Sequence, residues 1–312
     1  MRKISIVILL FMLLDGTKLA IAQSESSAKE IENSHFPAGL VNFTSYEKNP
    51  LLSGSGTNTW DQVMRERGWI LKEDGMYYMW YTGNSFKDGK PAESHLGYAT
   101  SADGLKWTKY KNNPVYDAGW VEDMCVVKSK GTYYMFAEGK DDIAHMLTSV
   151  DRINWKENGP LDIRYSNGEP LSKGPYGTPA VWLENDIWYL FYERGDLGVW
   201  LATSTDLKVW TNLQDEAVIN IGPELYDKYG LAVDQVIKYK GSYYAYYHAT
   251  ADKDWNEWSS CVAESDDLIH WEKYSGNPIM RKNKSSPILI YNGEVYLLYT
   301  MNDEVCVHFP KK

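Results

Sequence analysis

The sequence predicts an all-β protein and, within that class, a five-bladed β-propeller. Three observations carry the prediction: one strand–turn–strand unit recurs five times, its copies stand 52 to 56 residues apart, and no segment shows competing helical periodicity. The copies are WILKEDGMYYMWYTG from Trp69, CVVKSKGTYYMFAEG from Cys125, AVWLENDIWYLFYER from Ala180, QVIKYKGSYYAYYHA from Gln235 and PILIYNGEVYLLYTM from Pro287. Each joins a short apolar run to an aromatic-rich run across a turn at Gly75, Gly131, Asp186, Gly241 or Gly293, the pattern of a β-hairpin. The inner strands are expected to begin near residues 68, 124, 179, 234 and 286.

A second landmark follows in four copies: ATSADGLKW, LTSVDRINW, ATSTDLKVW and AESDDLIHW, ending at Trp107, Trp155, Trp210 and Trp271. It supplies a third strand, a turn built on Ser and Asp (Asp103, Asp151, Asp206, Asp267) and a Trp that opens an outer strand. Four short strands in roughly 55 residues is the size of a propeller blade. The recurring Asp residues are read as turn formers. The fifth copy ends after DEVCVHFP without the landmark, so residues 39–46 are the natural donors of its missing outer strand; closing the ring in this way removes exposed sheet edges.

Ahead of the repeats, Arg2 and Lys3 precede an apolar run over residues 4–14, and the stretch ends Ala20-Ile21-Ala22. This is the pattern of a secretory signal peptide over residues 1–22, and it predicts a secreted or periplasmic protein. The run is about half of the roughly 20 residues needed to span a bilayer, so no membrane insertion is expected. Residues 23–48 form an N-terminal segment that can close the ring, and residues 49–312 form the propeller. Removing the leader moves the formal charge from −10 to −12, because three basic residues and one acidic residue leave with it. An acidic protein of this kind argues against nucleic acid as a partner. The three cysteines, Cys125, Cys261 and Cys306, fall inside expected strands and read as free, buried apolar side chains. The 13 Trp and 24 Tyr suit both β-structure and flat sugar-stacking surfaces.

The innermost strand of a blade starts at one axial face, and its antiparallel partner returns to that face. Strand starts and second-strand ends therefore converge on the channel mouth. The starts offer Arg65, Glu66, Arg67 and Trp69, then Glu122 and Asp123, Gly177 and Thr178, and Asp234; the ends offer Thr82, Glu138, Glu193, His248 and Thr300. Crowded carboxylates push their pKa values apart, and glycosidic hydrolysis needs one neutral and one ionised carboxyl group. Asp123, Glu66, Glu193, Asp234 and His248 are the candidates for the chemistry. For Glu138 a solvated strand end is an equal alternative, and His248 has a second reading as ligand to a channel ion.

The stretches YYMWYTG, LGYATSADGLKW, GTPAVW, WYLFYER and SSPIL resemble the five-bladed propeller glycosidases. That superfamily includes family 43 arabinanases and xylosidases, the invertases and levansucrases, and families 117 and 130. The resemblance covers the chain from about Asn49. It implies an acidic base or nucleophile at the start of the first inner strand, matched approximately by Glu66 or by Asp61 of the TWDQ turn, with Arg67 in the aligned place. It implies an orienting acid in the second blade, matched by Asp123. The third-blade proton donor has no match, since the aligned stretch is Gly177-Thr178-Pro179; Glu193 or His248 are its substitutes. The expectation is a glycoside hydrolase acting on plant or algal oligosaccharides or polysaccharides, with no cofactor unless an ion such as calcium sits in the channel. Asp61, Arg65, Arg67, Trp69, Glu122, Thr178 and Arg194 are expected to contact the carbohydrate. Two alternatives stand beside it: a non-catalytic sugar-binding propeller, and a glycoside phosphorylase using Arg65, Arg67 and Arg194 as a phosphate clamp.

Overall fold

Five β-sheets are arranged around one axis, four of them each assembled from consecutive strands, so local hairpin pairing alone builds most of the molecule. The computed structural model describes residues 35–87, 90–171 and 174–311. The leader expected over residues 1–22 lies outside them, as do residues 23–34. Residues 38–312 form one compact unit, which therefore begins before residue 49. It opens with a four-residue helix, α1 (Ala38–Val41), and with β1 (Phe43–Ser45).

Blade 1 holds β2 (Val63–Glu73), β3 (Met76–Lys87), β4 (Lys90–Ser101) and β5 (Thr108–Lys109). Blade 2 holds β6 (Glu122–Ser129), β7 (Thr132–Gly139), β8 (Ile143–Ser149) and β9 (Lys156–Pro160). Blade 3 is larger, with β10 (Asp162–Arg164), β11 (Ala180–Glu184), β12 (Ile187–Glu193), β13 (Gly198–Ser204), β14 (Val209–Asn212) and β15 (Ile219–Asn220). Blade 4 holds β16 (Gly230–Tyr239), β17 (Ser242–Thr250), β18 (Ser259–Ser265) and β19 (Glu272–Lys273). Blade 5 holds β20 (Pro287–Tyr291), β21 (Tyr296–Thr300) and β22 (Cys306–Pro310), and its fourth strand is β1, antiparallel to β22 with Phe43 opposite Pro310 and Ser45 opposite His308. The inner strands β2 and β16 start about four residues earlier than the repeat spacing suggests, because each carries an irregular extension past its hairpin.

The Ser-Asp-Trp landmark has two jobs. Its Asp carboxylate accepts backbone N–H groups two and three residues on: Leu105 and Lys106 at 2.8 Å from Asp103, and Ile269 and His270 at 2.9 and 2.8 Å from Asp267. These bonds hold the turn and keep the carboxyls of Asp103, Asp151, Asp206 and Asp267 below their ordinary range. Its Trp joins blades. Trp155, Trp210 and Trp271 each meet an aromatic side chain of the preceding blade edge-on: Trp80 at 5.9 Å, Phe136 at 5.7 Å and Phe191 at 5.9 Å. Such pairs add about 0.5–1.5 kcal/mol beyond area burial. Blade 4 presents Tyr246 at the corresponding place, and its hydroxyl donates to the Leu40 carbonyl of α1 at 2.7 Å. All three cysteines are buried and free. No helix among the described residues is long and apolar enough to cross a membrane.

Candidate active site

Three of the five inner strands, β2, β6 and β16, begin with breaks in their hydrogen-bond ladders. Register shifts fall between Arg65 and Trp69, between Glu122 and Cys125, and between Val233 and Gln235. Glu66, Asp123, Thr178 and Ser286, one in each of four blades, adopt left-handed backbone with φ of 57°, 45°, 42° and 52°. Non-glycine residues in this region cost of order 1–3 kcal/mol each and cluster at functional sites. Here the irregularity turns all four side chains into one axial cavity of about 460 Å³, within the range of small-molecule sites.

Arg67 builds the cavity floor. Its side chain is fully buried, and its five N–H groups meet five carbonyls: Met124 at 3.2 Å, Val233 at 2.9 Å, Asp234 at 3.1 Å, Pro179 at 2.7 Å, and Asp123. One side chain of blade 1 thus ties the inner strands of blades 2, 3 and 4 together. Among the described residues no group of three or more His, Cys, Asp or Glu side chains is placed to hold a metal.

Of the residues singled out from the sequence, Arg65, Glu66, Glu122, Asp123, Thr178, Glu193 and His248 line the cavity, with Glu138. Five others do not. Arg67 is saturated beneath it. Asp234 is fully buried, its Oδ1 2.9 Å from His248 Nδ1 and 3.6 Å from Arg67 Nη1, so it acts through those side chains. Asp61 is buried against Lys109, Ser55 and Tyr81 at 2.7, 2.9 and 3.2 Å. Trp69 is packed in the core, and Arg194 lies over the Trp200 ring. The cavity adds Asp142, Asp196, Trp255, Asn256, Trp258, Asn283, Ser285, Asn302 and Asp303, most of them on loops that follow second strands. The signal for them was available, since a loop leaving the end of a second strand emerges at the same channel mouth.

Gly177 explains how two of the acids fit. A Cβ there would lie 2.1 Å from Glu138 Oε2 and 2.8 Å from Glu193 Oε1, so both carboxyl groups occupy the space a side chain at 177 would fill. Glu138 Oε2 accepts the Thr178 N–H at 2.7 Å and its hydroxyl at 3.2 Å. Both Glu193 oxygens accept backbone N–H groups, Oε1 from Gly177 at 2.9 Å and Oε2 from Asp196 at 2.6 Å. Glu193 therefore braces the wall, while Glu138 keeps an oxygen with no described partner.

The electrostatics separate these groups. Burial, then the charge of Asp123, raises Glu138 well above the usual carboxylate range. Burial and Glu66 raise Asp123 to about 6, against the opposing pull of Arg67 and His248. Glu122 rises to about 8 and Asp196 to about 7, each mainly through burial and then a neighbouring carboxylate. Burial works to lower His248, but Asp234, by charge and hydrogen bond, outweighs it and lifts the imidazole to about 9. The surroundings thus favour the protonated form of Glu138, while at neutral pH Asp123 is mostly ionised and His248 is an imidazolium.

Comparison with known proteins agrees with this architecture. Residues 25–170 match the glycosyl hydrolases family 32 N-terminal domain. A 1,2-β-oligomannan phosphorylase of Thermoanaerobacter sp. is 25% identical over 69% of this chain and 74% of its own length. A solved structure from work showing that the GH130 family of mannoside phosphorylases contains hydrolases of β-1,2-mannosidic linkages in Candida mannan superposes with a TM-score of 0.65 at 18% identity, covering 87% of this chain and 95% of that one. The α-L-arabinofuranosidase of Podospora anserina superposes at 0.62 with 14% identity, over 89% and 99%. By family match over residues 25–170 and by fold over most of its length, this chain is a five-bladed β-propeller resembling the propeller glycoside hydrolases.

Proposed function

We propose that this protein is an exported glycoside hydrolase that cleaves oligosaccharides in the axial cavity. The observation that carries the reading is the pairing of Asp123 with Glu138: two carboxyl groups on one cavity wall whose surroundings favour opposite protonation states. Glu138 donates its proton to the leaving glycosidic oxygen as the bond to the anomeric carbon breaks. Asp123, its Oδ1 taking the Arg67 N–H at 3.0 Å, supplies the electron pair, either to the anomeric carbon or to a water whose proton it removes. His248, held by Asp234, keeps a positive charge beside Asp123 and preserves its ionised form. The leader-like N-terminus supports export.

Hydrolysis is favoured over phosphorolysis by charge. A phosphate dianion entering the cavity would meet Glu66, Asp123, Asp142 and Asp303, while the two lining cations are already engaged, Arg65, the one arginine among the described lining residues, by Glu66 and His248 by Asp234. The test is a panel of mannosides, arabinosides and xylosides with and without phosphate. Release of reducing sugar independent of phosphate, lost in Asp123→Asn and Glu138→Gln, is expected. Turnover that requires phosphate overturns hydrolysis, and near-normal rates in both variants overturn the site.

A further inference from the structure

The cavity wall has two halves of different chemistry. Blades 1 to 3 contribute every lining carboxyl group except Asp303 of blade 5, whereas the blade 4 and 5 side also presents uncharged side chains: Trp255, Asn256, Trp258, Asn283 and Ser285. Trp255 is 45% exposed, and among the described residues it is the one large exposed apolar side chain that lines the cavity. It sits at φ 57°, a conformation that bulky residues seldom adopt. The loop over residues 251–258 enforces it. Asp252 accepts the N–H groups of Asp254 and Asn256 at 3.0 and 3.1 Å, and the Trp255 N–H reaches the Asp252 carbonyl at 3.1 Å.

The Trp255 indole is anchored along one edge, where its N–H donates to the Tyr229 carbonyl at 3.2 Å. Trp258 tilts against it at 5.9 Å and packs edge-on against His248 at 5.0 Å, which connects the loop to the charged centre of the cavity. The backbone N–H of Trp258 donates to Asn283 Oδ1 at 2.8 Å. An aromatic surface whose polar handle is already satisfied, flanked by amides and a hydroxyl, complements a ring with an apolar C–H face and hydroxyls at its edge. The acidic half of the cavity disfavours any ligand that brings its own negative charge.

We propose that Trp255 is the platform of a subsite for a neutral sugar ring, with Asn256, Asn283 and Ser285 meeting its hydroxyls, and that the cavity discriminates against uronates and other anionic sugars. The proposal rests on the reading of the cavity as a glycan site, but its test does not need turnover. Mannobiose, xylobiose, arabinobiose and digalacturonate are titrated by calorimetry into the parent, Trp255→Asn and Trp255→Phe proteins. Asn tolerates the left-handed backbone, so Trp255→Asn is expected to melt cooperatively near the parent temperature.

The expected result is that the parent binds at least one neutral disaccharide, and binds digalacturonate at least about tenfold more weakly. Trp255→Asn loses about tenfold in affinity for that neutral ligand, and Trp255→Phe recovers most of the loss. Absence of binding by every neutral disaccharide, equal binding of digalacturonate, or unchanged affinity in Trp255→Asn overturns the proposal. If the parent hydrolyses glycosides while Trp255→Asn keeps its affinity and KM, the subsite fails and the hydrolase reading stands. If Trp255→Asn loses binding and the parent hydrolyses nothing, the hydrolase reading fails and the subsite stands.

Discussion

Gly177→Ala is the most demanding perturbation of the cavity, because it adds one carbon where two carboxyl groups already stand. The new Cβ would lie 2.1 Å from Glu138 Oε2, 2.7 Å from its Cδ and 2.8 Å from Glu193 Oε1. Ordinary contacts begin near about 3.5 Å, so the Glu138 carboxyl must retreat by more than about 1 Å. It then leaves the Thr178 N–H and hydroxyl, two bonds worth roughly 0.5–1.5 kcal/mol each. The melting temperature should fall by roughly 2–8 °C. A misplacement of that size at a proton donor costs roughly 100-fold in rate. Initial rates on an aryl glycoside that the parent cleaves, together with calorimetric melting, measure both effects. The double variant Gly177→Ala/Glu138→Ala relieves the Glu138 clash but also lacks the two Thr178 bonds, so neither its melting temperature nor its rate should return to the parental value. A Gly177→Ala protein within threefold of parental activity and unchanged in melting would refute both the packing argument and the role given to Glu138.

Three further outcomes are expected. Arg67→Met strips five carbonyls of their donor and should lower the melting temperature by more than about 10 °C, with Arg67→Lys recovering only part of the loss; calorimetry decides. Asp123→Asn should reduce turnover at least roughly 100-fold and abolish the rise of kcat/KM as pH passes about 6, while the parent profile falls again at higher pH as Glu138 loses its proton. Stability should decline from about pH 5 to about pH 9: Glu122, Asp123 and Asp196 have folded-state pKa values raised to about 8, 6 and 7, so folding favours their protonated forms, and the contribution of His248, complete below its ordinary pKa, is lost as pH rises through about 9. Melting temperatures that climb steadily over that range would contradict the assignment.

The five blades were legible because each is one local supersecondary unit, and a local unit repeats in sequence whatever its neighbours do. One signal went unread. Asn113 and Asn277, each followed by proline, bond both amide ends to the third strands of blades 1 and 4, at Tyr98 and Val262; Asn49, also followed by proline, does the same at Val307 of blade 5. That recurrence places the N-terminal segment in the fifth blade from sequence alone. The site was harder to read. Strand-start and strand-end positions found Glu66, Asp123, Glu193 and His248, yet strict alternation fails where a ladder is irregular, since a one-residue slip exchanges the faces. Hence Arg67 and Asp234 lie under the cavity rather than in its wall. The role of Glu138 was hidden because it depends on an empty space at Gly177, and an absent side chain leaves no pattern.

The pairing of β1 with β22 carries a consequence for the order of events during synthesis. Ser45 and His308, bonded at 2.9 Å, are separated by 263 residues, so β1, the earliest strand among the described residues, waits for the latest of them. Closing so long a loop costs little extra free energy, because the entropy grows only with the logarithm of its length, but it places closure late in time. During that interval each hairpin can form on its own while the fifth sheet keeps an open edge, the condition under which β-proteins pair with the wrong neighbour. In pulse-labelled hydrogen exchange, the amides of the β1–β22 ladder should be the last in the propeller to become protected.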